Sequence, residues 1–93
     1  MVRSLQLMVD IQLERYEEDR IMQEFIKFIE SIMEVKPGSL TEDTAYGQHE
    51  KWDSLMHMRL VMEIEEEYDV EIPIDEVPNI KTLKDFYQYI EKQ

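Results

Sequence analysis

The sequence has 93 residues with 22 acidic and 10 basic side chains, which gives a formal net charge of −12 at pH 7. A chain of this length forms one small domain, and its negative charge repels nucleic-acid phosphates and anionic lipid surfaces. No stretch approaches the ~20 apolar residues of a membrane span, and the sequence carries no signal-peptide pattern. The absence of cysteine excludes disulfides and thiolate nucleophiles. We therefore expect a cytoplasmic protein with neither a membrane span nor a nucleic-acid partner.

Residues 1–18 form an apolar N-terminal stretch whose periodicity is too imperfect for a clear prediction. They are interpreted as an extension, either helical or disordered, that precedes the main domain over residues 19–93. Three alternatives stay open for them: they prolong the first helix, pair with a second copy or fray.

The first predicted helix runs from about Asp19 to Glu34, because apolar residues recur there at spacings of three and four. The segment from Val35 to Gly38 ends it, since proline cannot continue a helix and glycine tolerates the left-handed region. A long polar connection follows, with Leu40 and Tyr46 as expected core anchors. Its length indicates either a function or a short helix within it.

The second predicted helix starts near Asp53 and runs to about Tyr68, with Asp53 as its N-cap. The apolar positions form a wide arc, which predicts packing on more than one side. They are Leu55, Met58, Leu60, Val61, Met62, Ile64 and Tyr68.

Two shorter elements complete the predicted all-α fold. An extended connector ends at Pro73, and a short helical turn follows around Asp75 to Val77. Thr82 is the expected N-cap of the last helix, which places Phe86 on its apolar face.

The strongest local signal is the run Trp52-Asp53-Ser54-Leu55 at the entrance to the second helix. Ser54 would occupy the first helical position, where unpaired backbone N–H groups and the helix dipole favour negative charge. A phosphate on the Ser54 hydroxyl would be well placed there. Taken alone, Asp53 and Ser54 favour the simpler interpretation that they only cap the helix.

The surrounding sequence resembles the acyl carrier protein family over about residues 21–90. The resemblance lies in ordered segments around the motif: Asp53-Ser54-Leu55, Leu60-Val61-Met62, Glu65-Glu66-Glu67-Tyr68, Glu71-Ile72-Pro73 and Ile80-Lys81-Thr82-Leu83. It implies a four-helix bundle with a long first loop and a short third helix, and we expect the chain to be a monomer. It also implies a carrier rather than an enzyme.

In that family the serine of the Asp-Ser-Leu motif carries 4′-phosphopantetheine. By resemblance, Ser54 is the attachment site, with Asp53 and Leu55 as its motif neighbours. A phosphopantetheinyl transferase would load the arm from coenzyme A, and the arm would hold an acyl or aminoacyl group as a thioester. The reactive sulfur then comes with the cofactor. The implied pathways are fatty-acid or polyketide-like biosynthesis.

The sequence departs from well-known fatty-acid carriers at three positions near the motif. Lys51 replaces a usual glycine, and Met56 and Arg59 replace residues that are usually acidic. Because complementary charge sets partner choice, we interpret the chain as a specialised stand-alone carrier. The expected partners are acyl-loading and acyl-transfer enzymes with basic patches. The predicted partner surface consists of Trp52, Met56, Arg59, Glu63, Glu66 and Glu67, although Trp52 could equally cover the end of the bundle.

Two alternatives to the carrier interpretation remain. A non-carrying helical interaction module with an acidic recognition face is suggested by the departures at Lys51, Trp52, Met56 and Arg59. An enzyme with Ser54 as nucleophile is disfavoured, because no histidine or lysine is placed by sequence to activate it. His49 and His57 have no ligands at suitable spacing, so no metal site is predicted.

Overall fold

The computed structural model describes residues 19–91, which form three α-helices and one short 3-10 helix. Helix α1 covers residues 19–33 of this range, and α2 spans Ser54–Tyr68. The 3-10 helix spans Ile74–Asn79, and α3 spans Leu83–Glu91. The described part of the chain contains no strand beyond one isolated bridge. The predictions of an all-α fold, a long first connection and a short third helix are therefore confirmed, whereas those for residues 1–18 fall outside the described residues.

Helix α1 ends one residue before the predicted boundary, through a left-handed residue. Glu34 has φ 58°, and the Val35 N–H bonds to the Glu30 carbonyl at 3.1 Å. A left-handed residue that closes the last helical turn is the usual way of satisfying terminal carbonyls. The Lys51 ammonium also donates to the end of α1, at 2.9 Å from the Glu34 carbonyl oxygen.

The connection between α1 and α2 contains turns but no helix over residues 34–53, so the alternative of a short helix is wrong. Part of it is tied to the start of α3 by an antiparallel bridge between Ala45 and Thr82. The Tyr46 N–H donates to the Lys81 carbonyl at 2.6 Å beside that bridge. Leu40 is buried as predicted, whereas Tyr46 remains exposed and is not a core anchor.

Both predicted N-caps are confirmed. The Asp53 carboxylate accepts the Met56 N–H at 2.9 Å. The Thr82 hydroxyl accepts the Asp85 N–H at 3.1 Å, and the Asp85 carboxylate accepts the Thr82 N–H at 3.1 Å. The Thr82 and Asp85 pair is thus a reciprocal capping box, with aspartate in the place of the more usual glutamate.

The core lies between α1, α2, the 3-10 helix and α3. Its side chains of 2% exposure or less are Phe25, Ile29, Met33, Trp52, Leu60, Ile64, Leu83 and Phe86. Phe28 is only partly buried and packs edge-on against Tyr68.

The wide apolar arc of α2 is only partly buried. His57, Leu60, Val61 and Ile64 form the buried stripe. Leu55 is 82% exposed and Met62 is 60% exposed, and Met58 is exposed as well. Helix α2 does pack against α1 through Tyr68 and against the 3-10 helix and α3 through His57. No other described element covers these three exposed side chains, so the arc is only partly buried.

Candidate functional site

Ser54 is the first residue of α2, and its side chain is exposed. The preceding Asp53 has extended backbone, with φ −99° and ψ −171°, and its carbonyl accepts the His57 N–H at 2.9 Å. The hydroxyl of Ser54 therefore lies at the N-terminal turn, where the helix dipole and backbone N–H groups favour an anionic substituent.

His57 lies one turn after Ser54 and is 7% exposed. Its Nδ1 accepts the Trp52 indole N–H at 3.0 Å, and its Nε2 lies 3.1 Å from the Val77 carbonyl oxygen. Because an indole N–H can only donate, Nδ1 carries no proton and Nε2–H donates to Val77. The partners thus define the tautomer of His57, and its ring links α2 to the 3-10 helix.

An aromatic cluster surrounds this hydrogen-bonded chain. The Trp52 ring stacks on His57 with centroids 6.0 Å apart and on Phe86 at 6.3 Å. Tyr46 meets the His57 ring edge-on at 5.2 Å. Such pairs stabilise beyond the area they bury, so the first turn of α2 is held by rings from the long connection and from α3.

A cavity of about 320 Å³ opens beside Ser54. It is lined by Tyr46, Ser54, His57, Met58, Val77, Pro78, Ile80 and Lys81. Most of these side chains are apolar, and four elements or connections contribute to the walls. A group attached to the Ser54 hydroxyl could therefore reach either solvent or this cavity.

The residues around Ser54 suit a phosphopantetheine arm. The hydroxyl is accessible to a second protein, the helix terminus favours the phosphate charge, and the neighbouring cavity can receive an apolar group. Leu55, the next residue of the motif, is exposed to solvent.

The six residues of the predicted partner surface differ in exposure. Arg59, Glu66 and Glu67 are exposed, and Met56 and Glu63 are half-buried. Trp52 is only 1% exposed, so its assignment to the partner surface is wrong. Its indole is held inside by His57 and Phe86, which agrees with the alternative that it covers the end of the bundle.

His57 is the site residue that sequence reasoning missed. Its spacing of three, four and seven residues from Leu60, Val61 and Ile64 aligns it with the buried stripe of α2. The Trp52 indole, five residues earlier, supplies the buried N–H donor that lowers the cost of burying this histidine. The periodicity alone could have predicted its burial.

Neither histidine belongs to a metal site in the described part of the chain. No group of three or more histidine, aspartate or glutamate side chains there could hold an ion. His49 instead accepts the Lys51 N–H at 3.2 Å within a turn. Among residues 19–91, no helix is long and apolar enough to cross a membrane.

Comparison with known proteins places residues 23–90 on a family model described as "Phosphopantetheine attachment site". An acyl carrier protein from Rickettsia canadensis is 36% identical over 75 residues, which cover 81% of this chain and 87% of the relative. One from Rickettsia massiliae is 35% identical over the same shares. A solved structure described as an acyl carrier protein from Mycobacterium tuberculosis superposes with a TM-score of 0.67 and 29% identity, covering 76% of this chain and 96% of that one.

Proposed function

The chain belongs to the acyl carrier protein family and acts as a carrier with a 4′-phosphopantetheine arm; on this premise we propose that Ser54 is the residue that carries the arm. The observation that supports this most directly is the exposed Ser54 hydroxyl at the capped N-terminus of α2, inside the matched range. When bound, the arm supplies a thiol that holds acyl groups as thioesters. This chain has no cysteine of its own.

Loading of Ser54 is a phosphoryl transfer from coenzyme A. The serine oxygen bonds to the phosphorus of the phosphopantetheinyl group as its proton leaves. The pyrophosphate bond to the nucleotide breaks, and adenosine 3′,5′-bisphosphate departs. Asp53 contributes by capping α2, which holds the hydroxyl at the exposed turn.

Proteins of this family interact with phosphopantetheinyl transferases and acyl-handling enzymes. We propose that this chain selects among them by the charges on α2. Glu66 and Glu67 present negative charge, while Arg59 presents a positive charge about two turns nearer Ser54. A fitting partner has a basic patch for the two glutamates and a carboxylate for Arg59. Arg59 is positive at a position that is usually acidic in the family, and this difference supports a dedicated set of partner enzymes.

Intact mass after incubation with a phosphopantetheinyl transferase and coenzyme A tests the attachment site. Wild type should gain one phosphopantetheinyl group, and Ser54→Ala should gain none with an unchanged helical circular dichroism spectrum. Ser39→Ala removes another exposed hydroxyl and serves as the matched control, which should load normally. Failure of wild type to load with several transferases would favour a non-carrying module.

Charge reversal tests the recognition surface. Glu66→Lys with Glu67→Lys should lower kcat/KM for loading or acyl transfer, with the larger loss at low ionic strength, because charge complementarity acts mainly on association. Glu24→Lys with Asp43→Lys reverses two exposed carboxylates outside α2 and gives the same change in net charge. An equal loss in both variants would show that total charge matters rather than this surface.

A further inference from the structure

We propose that His57 is an acid-sensitive positioning residue for the attachment at Ser54. Only its neutral ring can accept the Trp52 indole N–H, and this bond supports the turn that presents the Ser54 hydroxyl. The proposal rests on the proposed attachment at Ser54. It assigns a role to a side chain that the attachment chemistry itself does not use.

Both ring nitrogens of His57 are already engaged. Nδ1 accepts the Trp52 indole N–H at 3.0 Å, and Nε2 donates to the Val77 carbonyl at 3.1 Å. The added proton of an imidazolium would lie on Nδ1 and point at the indole N–H, which can only donate. Protonation therefore replaces a hydrogen bond by two opposed N–H groups and leaves the buried indole without an acceptor.

The bond between indole and imidazole closes the segment that contains Ser54. The Trp52 backbone N–H donates to the His49 carbonyl at 2.9 Å, and the His57 backbone N–H donates to the Asp53 carbonyl at 2.9 Å. Ser54 lies between the two joined side chains, at the first position of α2. Because the bond joins the two ends of this turn, its loss loosens the backbone from which the hydroxyl is presented.

The described groups around this imidazole offer no counter-charge to an added proton. The long connection contributes the Tyr46 ring, edge-on at 5.2 Å, and the chain before α3 contributes Lys81, which lines the same cavity as the imidazole. Carboxylates on the neighbouring elements are engaged elsewhere, since Glu76 accepts a tyrosine hydroxyl of α3, and Asp53 and Asp85 cap α2 and α3. Within residues 19–91, no carboxylate forms a hydrogen bond or an ion pair with the imidazole. An imidazolium therefore gains nothing in place of the bond that it loses.

Trp52 is the single tryptophan of the chain, so its indole N–H resonance reports directly on this bond. The full-length protein is titrated from about pH 8 to about pH 5, the range in which histidine side chains commonly gain a proton. The indole resonance should shift together with the carbon resonances of the His57 ring, which report its protonation. An indole resonance that stays in place while the ring becomes protonated would overturn the proposal, and so would a ring that stays neutral throughout.

The rate of loading at Ser54 is the functional measurement. Rates with a phosphopantetheinyl transferase and coenzyme A are followed by intact mass at both ends of this pH range. Each is divided by the rate of Trp52→Phe at the same pH, which cancels the pH dependence of the enzyme. Because Trp52→Phe has no indole donor, protonation of His57 breaks no such bond in it. The ratio should fall by roughly three- to tenfold in acid, the factor that corresponds to one lost hydrogen bond; a constant ratio would overturn the role of His57.

Two histidine variants identify the group that takes up the proton. His57→Asn keeps an oxygen acceptor for the indole but cannot gain a proton there, so its rate relative to wild type should rise in acid. His49→Asn is the matched control, since it removes the only other histidine of the chain, and it should keep the wild-type pattern. Loss of the acid sensitivity in His49→Asn would overturn the assignment to His57.

Failure of this proposal is distinguishable from failure of the attachment site. If Trp52→Phe does not fold, His57→Asn and the indole titration of wild type still decide the role of His57. The indole titration needs no arm on Ser54. Absence of any mass gain at every pH would instead refute attachment at Ser54.

Discussion

The Glu30 carboxylate is 3% exposed, although it lies on a helix of a strongly acidic protein. One of its oxygens accepts the Gly38 N–H at 2.9 Å and the Leu40 N–H at 3.1 Å. Buried carboxylates need such partners, and bonds to a charged acceptor are stronger than neutral ones. Glu30 thus fixes the start of the long connection against α1, and Leu40 enters the core as a consequence.

Replacing Glu30 should therefore destabilise the protein more than replacing an exposed glutamate on the same helix. We expect Glu30→Ala to lower the free energy of unfolding by about 2–3 kcal/mol, because two backbone donors lose a charged acceptor. Glu30→Gln keeps an acceptor and should cost less. Glu24→Gln, on the exposed side of the same helix, should have little effect in urea unfolding. A cost for Glu24→Gln as large as that of Glu30→Ala would contradict this role of the Glu30 carboxylate.

Glu30 and His57 show why residue-level prediction fails for buried polar groups. Each fits the spacing of an apolar stripe, Glu30 with Ile26 and Met33 on α1 and His57 with Leu60 on α2. Their burial is tolerable only because of partners that arrive from other elements: backbone N–H groups for one, an indole and a carbonyl for the other. Those partners are not encoded in local spacing, so periodicity can suggest that such a residue is buried without showing what satisfies its polar atoms.

At the scale of elements, helix starts were predictable because their chemistry is local. Asp53 caps α2 by accepting the N–H three residues later. We expect Asp53→Ala to lower the free energy of unfolding by about 1 kcal/mol, and Asp53→Asn by less, because an amide oxygen can also accept this bond. Exposed Glu50→Ala is the control. If asparagine cost as much as alanine, the charge at the helix terminus would matter rather than the cap.

The packing of α2 was not predictable to the same degree. The wide arc fixes which residues are apolar, but the number of neighbours that cover them depends on the arrangement of the other helices. Leu55 and Met62 remain exposed because α1, the 3-10 helix and α3 cover only the stripe that contains Leu60 and Ile64. Periodicity therefore located the helix and its buried stripe without giving the extent of burial.

The 3-10 helix is joined to α3 by a bond that depends on pH. The Tyr89 hydroxyl donates to the Glu76 carboxylate at 2.7 Å. This hydrogen bond, with a smaller contribution from burial, raises the pKa of Tyr89 from 10.0 to about 12. Because the folded-state pKa exceeds the unfolded one, the bond stabilises the fold below pH ~10, and its contribution disappears as the pH rises towards about 12.

Titration of phenolate absorbance checks this link. The difference between wild type and Tyr89→Phe should show a component with pKa about 12. Glu76→Gln should move that component towards 10.0, the ordinary value, because a neutral acceptor no longer favours the protonated phenol. Burial also raises the pKa of Tyr68, so the comparison must be made between variants. An unchanged titration in Glu76→Gln would exclude the carboxylate as the cause.

At the scale of the whole molecule, charge is concentrated on one part of the chain. Residues 52–76 hold nine acidic residues against one arginine, a net charge of −8 out of −12. Within this segment only a few carboxylates have partners inside the fold, such as that of Glu65, which accepts the Ile72 N–H at 2.9 Å. Glu66 and Glu67 are exposed to solvent. Repulsion among these carboxylates opposes the compact state and suits a protein that must meet basic partners.

Added salt should therefore stabilise the protein at neutral pH. Raising the ionic strength from about 0.01 M to about 1 M shortens the Debye length from about 30 Å to about 3 Å and screens the repulsion. We expect Tm to rise in calorimetric scans with sodium chloride. The variant Glu66→Gln with Glu67→Gln changes the net charge from −12 to −10. It should have a higher Tm than wild type at low salt, and its Tm should rise less when salt is added. Equal increases in the two proteins would mean that salt acts elsewhere, since the repulsion is expected to be strongest where the carboxylates are densest.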